Sequence, residues 1–136
     1  MSATRNLNVL AFTLLTVLLL NGCSSGDLKL GSVSGTVTLD DQPLAGAVVE
    51  FQPATGSPSE AVTDSSGKYT LKYTARKPGA LLGNHRVYIS RSTKTGADGQ
   101  EVDVPETLPP RYNLHSELTA DVRSGSNKVD FTLQSR

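Results

Sequence analysis

Tryptophan is absent from this 136-residue chain, and cysteine and methionine occur once each. One cysteine excludes an internal disulfide, so the fold cannot be a cystine-stapled scaffold, and a multi-cysteine zinc site is excluded with it. Aromatic residues are scarce, three Phe and four Tyr, so the core has to be built mainly from Val, Leu and Ile. Charge of either sign is not in excess, with 13 basic and 13 acidic residues. A nucleic-acid partner is therefore not expected, because a basic stripe with interleaved aromatics is missing. The chain also lacks a His-Glu-x-x-His helix and a phosphate-binding glycine loop. Its apolar run from Val9 to Leu20 is about a dozen residues long, short of the roughly 20 that span a bilayer as a helix.

What is present at the N-terminus is a basic start at Arg5, that short apolar run, and then Leu20-Asn21-Gly22-Cys23. Basic start, short apolar core and small-residue cleavage site together predict a signal peptide over 1–22. The four residues ending in Cys23 resemble the bacterial lipobox, which implies a thioether-linked lipid on Cys23 and acylation of its amine. Several acyl chains make a stable anchor, because each buried methylene contributes about 0.8 kcal/mol. The expected partner of Cys23 is thus the cell membrane or outer membrane, with the following domain in the periplasm or at the cell surface. Ser24, which is not the aspartate that retains some lipoproteins at the inner membrane, leans the expectation toward the outer membrane. The competing readings are a marginal buried or spanning helix and plain cleavage leaving a free thiol, a liability in an oxidising compartment.

Residues 23–31 read as the lipidated cysteine and a polar tether, and 32–136 as one domain of alternating strands. Val33, Gly35, Val37 and Leu39 fall on one face of a first strand. After the turn residues Asp40-Asp41-Gln42-Pro43, whose carboxylates are placed to bond nearby amides, a second strand covers Ala47 to Pro53 with Val49 and Phe51 inward. A third strand, Glu60 to Thr63, meets Asp64-Ser65-Ser66-Gly67, predicted to return the chain as a hairpin into Lys68 to Tyr73. Ala75 to Asn84 reads as a loop crossing between sheets, and His85, Val87 and Ile89 as the inner face of a fifth strand. Two last strands, about Glu117 to Val122 and Asn127 to Leu133, are expected to form a hairpin over Arg123-Ser124-Gly125-Ser126. The fold class is therefore all-β: a seven-stranded Greek-key β-sandwich, transthyretin-like or immunoglobulin-like.

Chemistry-bearing residues are few. His85 falls on the inner alternation and is expected to be a hydrogen-bonded core or rim residue; His115 is expected to be solvated in a loop. Asp98, Glu101 and Asp103 do not follow the EF-hand spacing, and no metal site or cofactor is expected. The long segment between Ser90 and Glu117 reads as a mobile first half, Thr93 to Gln100, and a proline-stiffened second half with Leu108 and Tyr112 packing on the sandwich. A segment of that length is functional or disordered as a rule. Tyr88, Arg111 and Tyr112 make up the candidate recognition patch, because Arg and Tyr are favoured at binding hot spots. The competing reading, placed first, is a cover over an open sheet edge.

Three segments also carry a family resemblance: Val33-Ser34-Gly35-Thr36-Val37, Pro43-Leu44-Ala45-Gly46-Ala47-Val48-Val49, and Thr63-Asp64-Ser65-Ser66-Gly67-Lys68-Tyr69-Thr70-Leu71. Together with Val129-Asp130-Phe131-Thr132-Leu133 they resemble the carboxypeptidase regulatory-like domain as found in small bacterial lipoproteins. That resemblance implies a transthyretin-like sandwich and a non-catalytic role, since no peptidase domain accompanies it. The expected function is a lipid-anchored cell-envelope protein, a structural or protein-binding module whose partner is an unknown envelope protein or glycan. Carbohydrate binding through Tyr88 or Tyr112 is the alternative. A small transthyretin-like hydrolase is a further one, and it requires His85 and His115 to converge with an acid in a cleft.

Overall fold

The computed structural model describes residues 26–91, 93–95 and 98–136; Cys23 and the expected signal peptide lie outside the described residues. In chain order the strands are β1 (Leu30–Leu39), β2 (Gln42–Pro43), β3 (Val48–Pro53), β4 (Ser59–Val62), β5 (Lys68–Thr70), β6 (Lys72–Thr74) and β7 (Lys77–Pro78). They continue with β8 (Ala80–Leu81), β9 (Gly83–Ser90), β10 (Thr93–Thr95), β11 (Glu101–Asp103), β12 (Thr119–Val122), β13 (Ser126–Lys128) and β14 (Phe131–Leu133). A 3-10 turn at Pro110–Tyr112 precedes β12. The all-β sandwich is as expected, but the strands are shorter and more numerous than seven: Lys68 to Tyr73 is split between the two sheets, Asn127 to Leu133 breaks in two along β1, and short strands form in segments expected as turn or loop.

β1 is the spine of the first sheet. One of its edges carries β13 and β14 in parallel, and the other carries β8, β5 and β2 antiparallel. The second sheet runs β12-β9-β3-β4-β6-β7. Between them lie Val33 and Val37 from β1, Val49 and Phe51 from β3, Val87 and Ile89 from β9, and Phe131 and Leu133 from β14, all buried. Phe51 meets Phe131 edge-on at 6.1 Å between ring centroids, and Tyr69 stacks on Phe131 at 6.4 Å. A few aromatics thus close a core that the aliphatic residues fill, each large apolar side chain contributing about 1.5–3 kcal/mol on burial.

Two expected hairpins are corrected. The Asp64–Gly67 turn forms as its residues dictate: Asp64 Oδ1 accepts from the amides of Ser66 (2.8 Å) and Lys68 (3.0 Å), and Gly67 takes φ +73°. Yet it does not pair its flanking strands. β4 stays in the second sheet while β5 pairs with β1 in the first, so the turn carries the chain across the sandwich. At Leu71, buried between β5 and β6, the chain crosses back, and Lys72 pairs with Glu60 of β4. The Arg123–Gly125 connection also crosses: β12 lies antiparallel to β9, whereas β13 joins β1 in parallel. Ala75 to Asn84 crosses as expected, through β7 in one sheet and β8 in the other.

The last strand is broken at Val129–Asp130 because β1 carries Gly35 opposite the break. A Cβ on Gly35 would lie 1.7 Å from the Val129 carbonyl oxygen, so only glycine admits this approach. Backbone bonds lost at the break are replaced: Val129 N–H donates to Ser34 O (2.9 Å), and Thr36 N–H donates to Asp130 Oδ1 (2.8 Å). Tyr69 Oη also donates to Val129 O, at 2.6 Å. Burial, and secondarily the nearby Asp130 charge, pushes the Tyr69 phenol well above its ordinary value, so it stays a donor.

Candidate functional site

Arg111 and Tyr112 come together at the 3-10 turn, where the guanidinium lies 4.8 Å from the centre of the Tyr112 ring. They do not form the exposed patch expected from the sequence. Tyr112 is buried, 8 % exposed, and its hydroxyl accepts from the Gln134 amide at 2.9 Å. Arg111 Nη2 donates to the carbonyl oxygens of Gln134 (2.6 Å) and Arg136 (3.0 Å). The pair is a clasp on the C-terminal tail. Asp40 joins it: its Oδ1 accepts from the Ser135 amide at 3.0 Å, instead of bonding the nearby turn amides as expected. Tyr88 lies elsewhere, half-buried on β9 and in register with Glu50 of β3.

The segment beyond the clasp covers a sheet edge. Ahead of the start of β12, Leu118 O accepts from Val87 N–H (2.9 Å), Ser116 Oγ donates to Val87 O, and Asn113 Nδ2 reaches Ile89 O (3.4 Å). Arg86 Nη1 donates to Ser116 O at 2.6 Å from the same edge. The β9 backbone that β12 leaves bare is thereby paired, the purpose an edge cover serves. Glu106 organises the entry to this segment, accepting from the amides of Arg91, Thr107 and Leu108. Leu108 is buried as expected. Thr93–Thr95, expected to be part of a mobile half, pairs with Glu101–Asp103 as a two-stranded ribbon.

His85 is buried as its alternation predicts, 3 % exposed, with its ring 5.7 Å from that of Phe51. Its Nε2 lies 2.7 Å from Leu81 O and must carry the proton, since a carbonyl only accepts. Nδ1 is buried and has no hydrogen-bond partner among the described residues. His115 is exposed in the loop as expected. Among the described residues no three His, Cys, Asp or Glu side chains gather into a group able to hold a metal ion. Three buried hydroxyls, on Ser59, Thr63 and Ser116, were missed by alternation alone. Thr63 Oγ1 donates to Leu44 O (2.6 Å) and accepts from Ala47 N (2.9 Å), while Ser116 ties the edge cover.

Several shallow surface depressions lie among the described residues. One, about 390 Å³, lies over the second sheet where Gln52, Asn84, Arg86, Tyr88 and Thr119 meet. A larger one, about 650 Å³, opens at the end of the sandwich where the chain enters β1, lined by Leu28, Pro53, Ala54, Leu81 and Leu82 among others. Leu28 and Leu82 are 48 % and 37 % exposed there. The expected polar tether is shorter than 23–31: Leu30 and Gly31 pair with Leu81 and Ala80, and Lys29 O accepts from the Leu82 amide at 3.2 Å. The sequence did hold a signal for this site, the run Ala80-Leu81-Leu82, which does not alternate.

No protein-family model and no curated protein matches the chain. Among solved structures it is similar to a DUF3823 family protein from Parabacteroides merdae, at 12 % identity and a TM-score of 0.44, covering 78 % of this chain and 46 % of that one. It is also similar to a 9R-lipoxygenase from Cyanothece, at 20 % identity and a TM-score of 0.40, covering 78 % of this chain and 16 % of that one. The chain therefore spans less than half the length of either. Among the described residues no helix is long and apolar enough to cross a membrane.

Proposed function

We propose that this is a lipid-anchored cell-envelope protein of the carboxypeptidase regulatory-like type, a non-catalytic structural or protein-binding module. The observation that carries the reading is Leu20-Asn21-Gly22-Cys23 at the end of a short apolar run, a few residues before a β-sandwich begins at Leu30. Several polar side chains of the sandwich support it, because their bonding partners are backbone groups that hold the fold. Asp64 and Glu106 cap turns, Asp40, Arg111 and Tyr112 clasp the tail, and His85 is spent on the Leu81 carbonyl. In the native host, intact mass is expected to show acyl chains on Cys23, and Cys23→Ser to move the protein out of the membrane fraction. An unacylated Cys23 removes the reading. Co-purification from membranes with the lipid intact then identifies the partner.

A second reading, carbohydrate binding, keeps one supporting feature: half-buried Tyr88 beside Gln52, Arg86 and Thr119 in a single shallow depression. An aromatic ring flanked by amide and guanidinium donors suits a sugar face. Tyr112, buried in the clasp, has no part in it. Glycan-array binding abolished by Tyr88→Ala supports this reading, and an empty array ends it.

A further inference from the structure

Leu28, Leu81, Leu82, Pro53 and Ala54 come together at one end of the sandwich, and that end is also where the chain enters the fold. Cys23 precedes Gly26 by three residues, so its Cα lies within roughly 11 Å of Gly26 whatever path the backbone takes. Gly26 to Lys29 already line the depression, and Lys29 is tied to Leu82 through its carbonyl. A lipid on Cys23 therefore holds this end, and no other, within a short reach of the bilayer. β1 is 10 residues long, so the far end stands roughly 30 Å further out. The Asp64–Gly67 turn, beside the outer part of β1, belongs to that far end.

We propose that the tether end is a membrane-contact face, with Leu28 and Leu82 entering the headgroup–acyl boundary of the bilayer that holds the anchor. The proposal rests on the lipid-anchor reading of Cys23 and adds an orientation to it. The anchor makes the contact intramolecular, so a small apolar face is enough to populate it at the high effective concentration a short leash creates. The charges lining the depression are one Asp27 and one Lys29, which cancel. Contact is thus set by apolar burial and does not require anionic lipid. The tail clasp and the loop capped by Glu106 are consequently presented away from the membrane, toward whatever the protein meets.

The test uses the lipidated protein purified from its host and reconstituted in phosphatidylcholine vesicles carrying brominated acyl chains. An environment-sensitive fluorophore is placed through Thr55→Cys at the tether end or through Ser65→Cys at the far end, both exposed positions. Cys23 does not compete for the label when its sulfur is a thioether. The probe at position 55 is expected to be quenched and blue-shifted and the probe at 65 to be unaffected. Leu28→Asp/Leu82→Asp is expected to abolish the quenching at 55 while the intact mass keeps its acyl chains and circular dichroism keeps its β signature. Equal quenching at both positions on an acylated protein overturns the orientation and leaves the anchor standing. So does quenching at 55 that survives the double substitution, or a dimer in detergent that the double substitution dissociates, which would assign this end to a second copy. A mass without acyl chains overturns the anchor, and the contact face with it.

Discussion

Gly35→Ala tests the closest backbone approach in the sandwich. The added methyl carbon would sit 1.7 Å from Val129 O, 2.6 Å from Val129 C and 3.0 Å from Tyr69 Cε1. Restoring an ordinary carbon–oxygen contact requires Val129 to retreat by roughly 1.6 Å. That retreat breaks the Val129–Ser34 backbone bond and pulls Val129 O away from the Tyr69 hydroxyl. Each lost hydrogen bond costs about 1 kcal/mol net, and forced overpacking about 1–3 kcal/mol. The lower entropy of the unfolded alanine chain offsets this by about 0.4–1 kcal/mol. The balance is a loss of about 3 kcal/mol, a large part of the 5–15 kcal/mol that holds a domain together. In urea, with a slope of about 2 kcal/mol/M, the midpoint should fall by about 1.5 M. Tyr69→Phe acts through the same carbonyl, so the double variant should be less destabilised than the two single losses added. A Gly35→Ala midpoint matching the parent, or strict additivity with Tyr69→Phe, would refute the reasoning.

Thr63→Val keeps the shape of a buried side chain but removes the hydroxyl that joins Leu44 O to the Ala47 amide; a loss of about 2 kcal/mol is expected by denaturation. A change within about 0.5 kcal/mol shows that water takes the hydroxyl's place. Tyr112→Phe should accelerate hydrogen exchange at the Gln134 amide, whose acceptor it removes, while leaving the edge cover over β9 protected. Unchanged exchange at Gln134 contradicts the clasp. The Ser135 hydroxyl and amide, then Arg136, hold the Asp40 carboxyl below its ordinary value of 3.8. A carboxyl depressed on folding stabilises the fold above that value, and the contribution disappears as pH falls below 3.8 through the folded value. Protection of the Ser135 amide should therefore drop on acidification below 3.8 in the parent and be low at every pH in Asp40→Asn; identical profiles contradict the assignment.

Local pattern carried much of the fold. Alternation placed Val33, Val37, Val49, Phe51, His85, Val87 and Ile89 on inner faces, and each of them is buried. Asp64 and Gly67 specified their turn because a carboxylate two and four residues before the amides that donate to it and a glycine of positive φ are sufficient to build it. Side-chain accessibility in the long loop was not readable in the same way. Arg111 and Tyr112 are polar enough to face water, yet the tail, some twenty residues on, folds back beneath them and turns two hot-spot residues into a clasp. Leu28 and Leu82 belong to segments that look like tether and crossing loop, and they form a face only when β8 docks beside the start of β1.

By itself the sequence determined where the main core strands and the Asp64–Gly67 turn fall, because period-two hydrophobicity and turn chemistry act over a few residues. It also carries the case for the Cys23 anchor. Tertiary structure alone decided which sheet each strand joins, for backbone hydrogen bonds are identical at every register and only side-chain packing across the sandwich selects among them. For that reason Asp64–Gly67 and Arg123–Gly125 cross between sheets instead of closing hairpins, and β13 and β14 run parallel to β1. The same packing settles which end of the sandwich receives the tether and which polar residues are spent on the protein's own backbone.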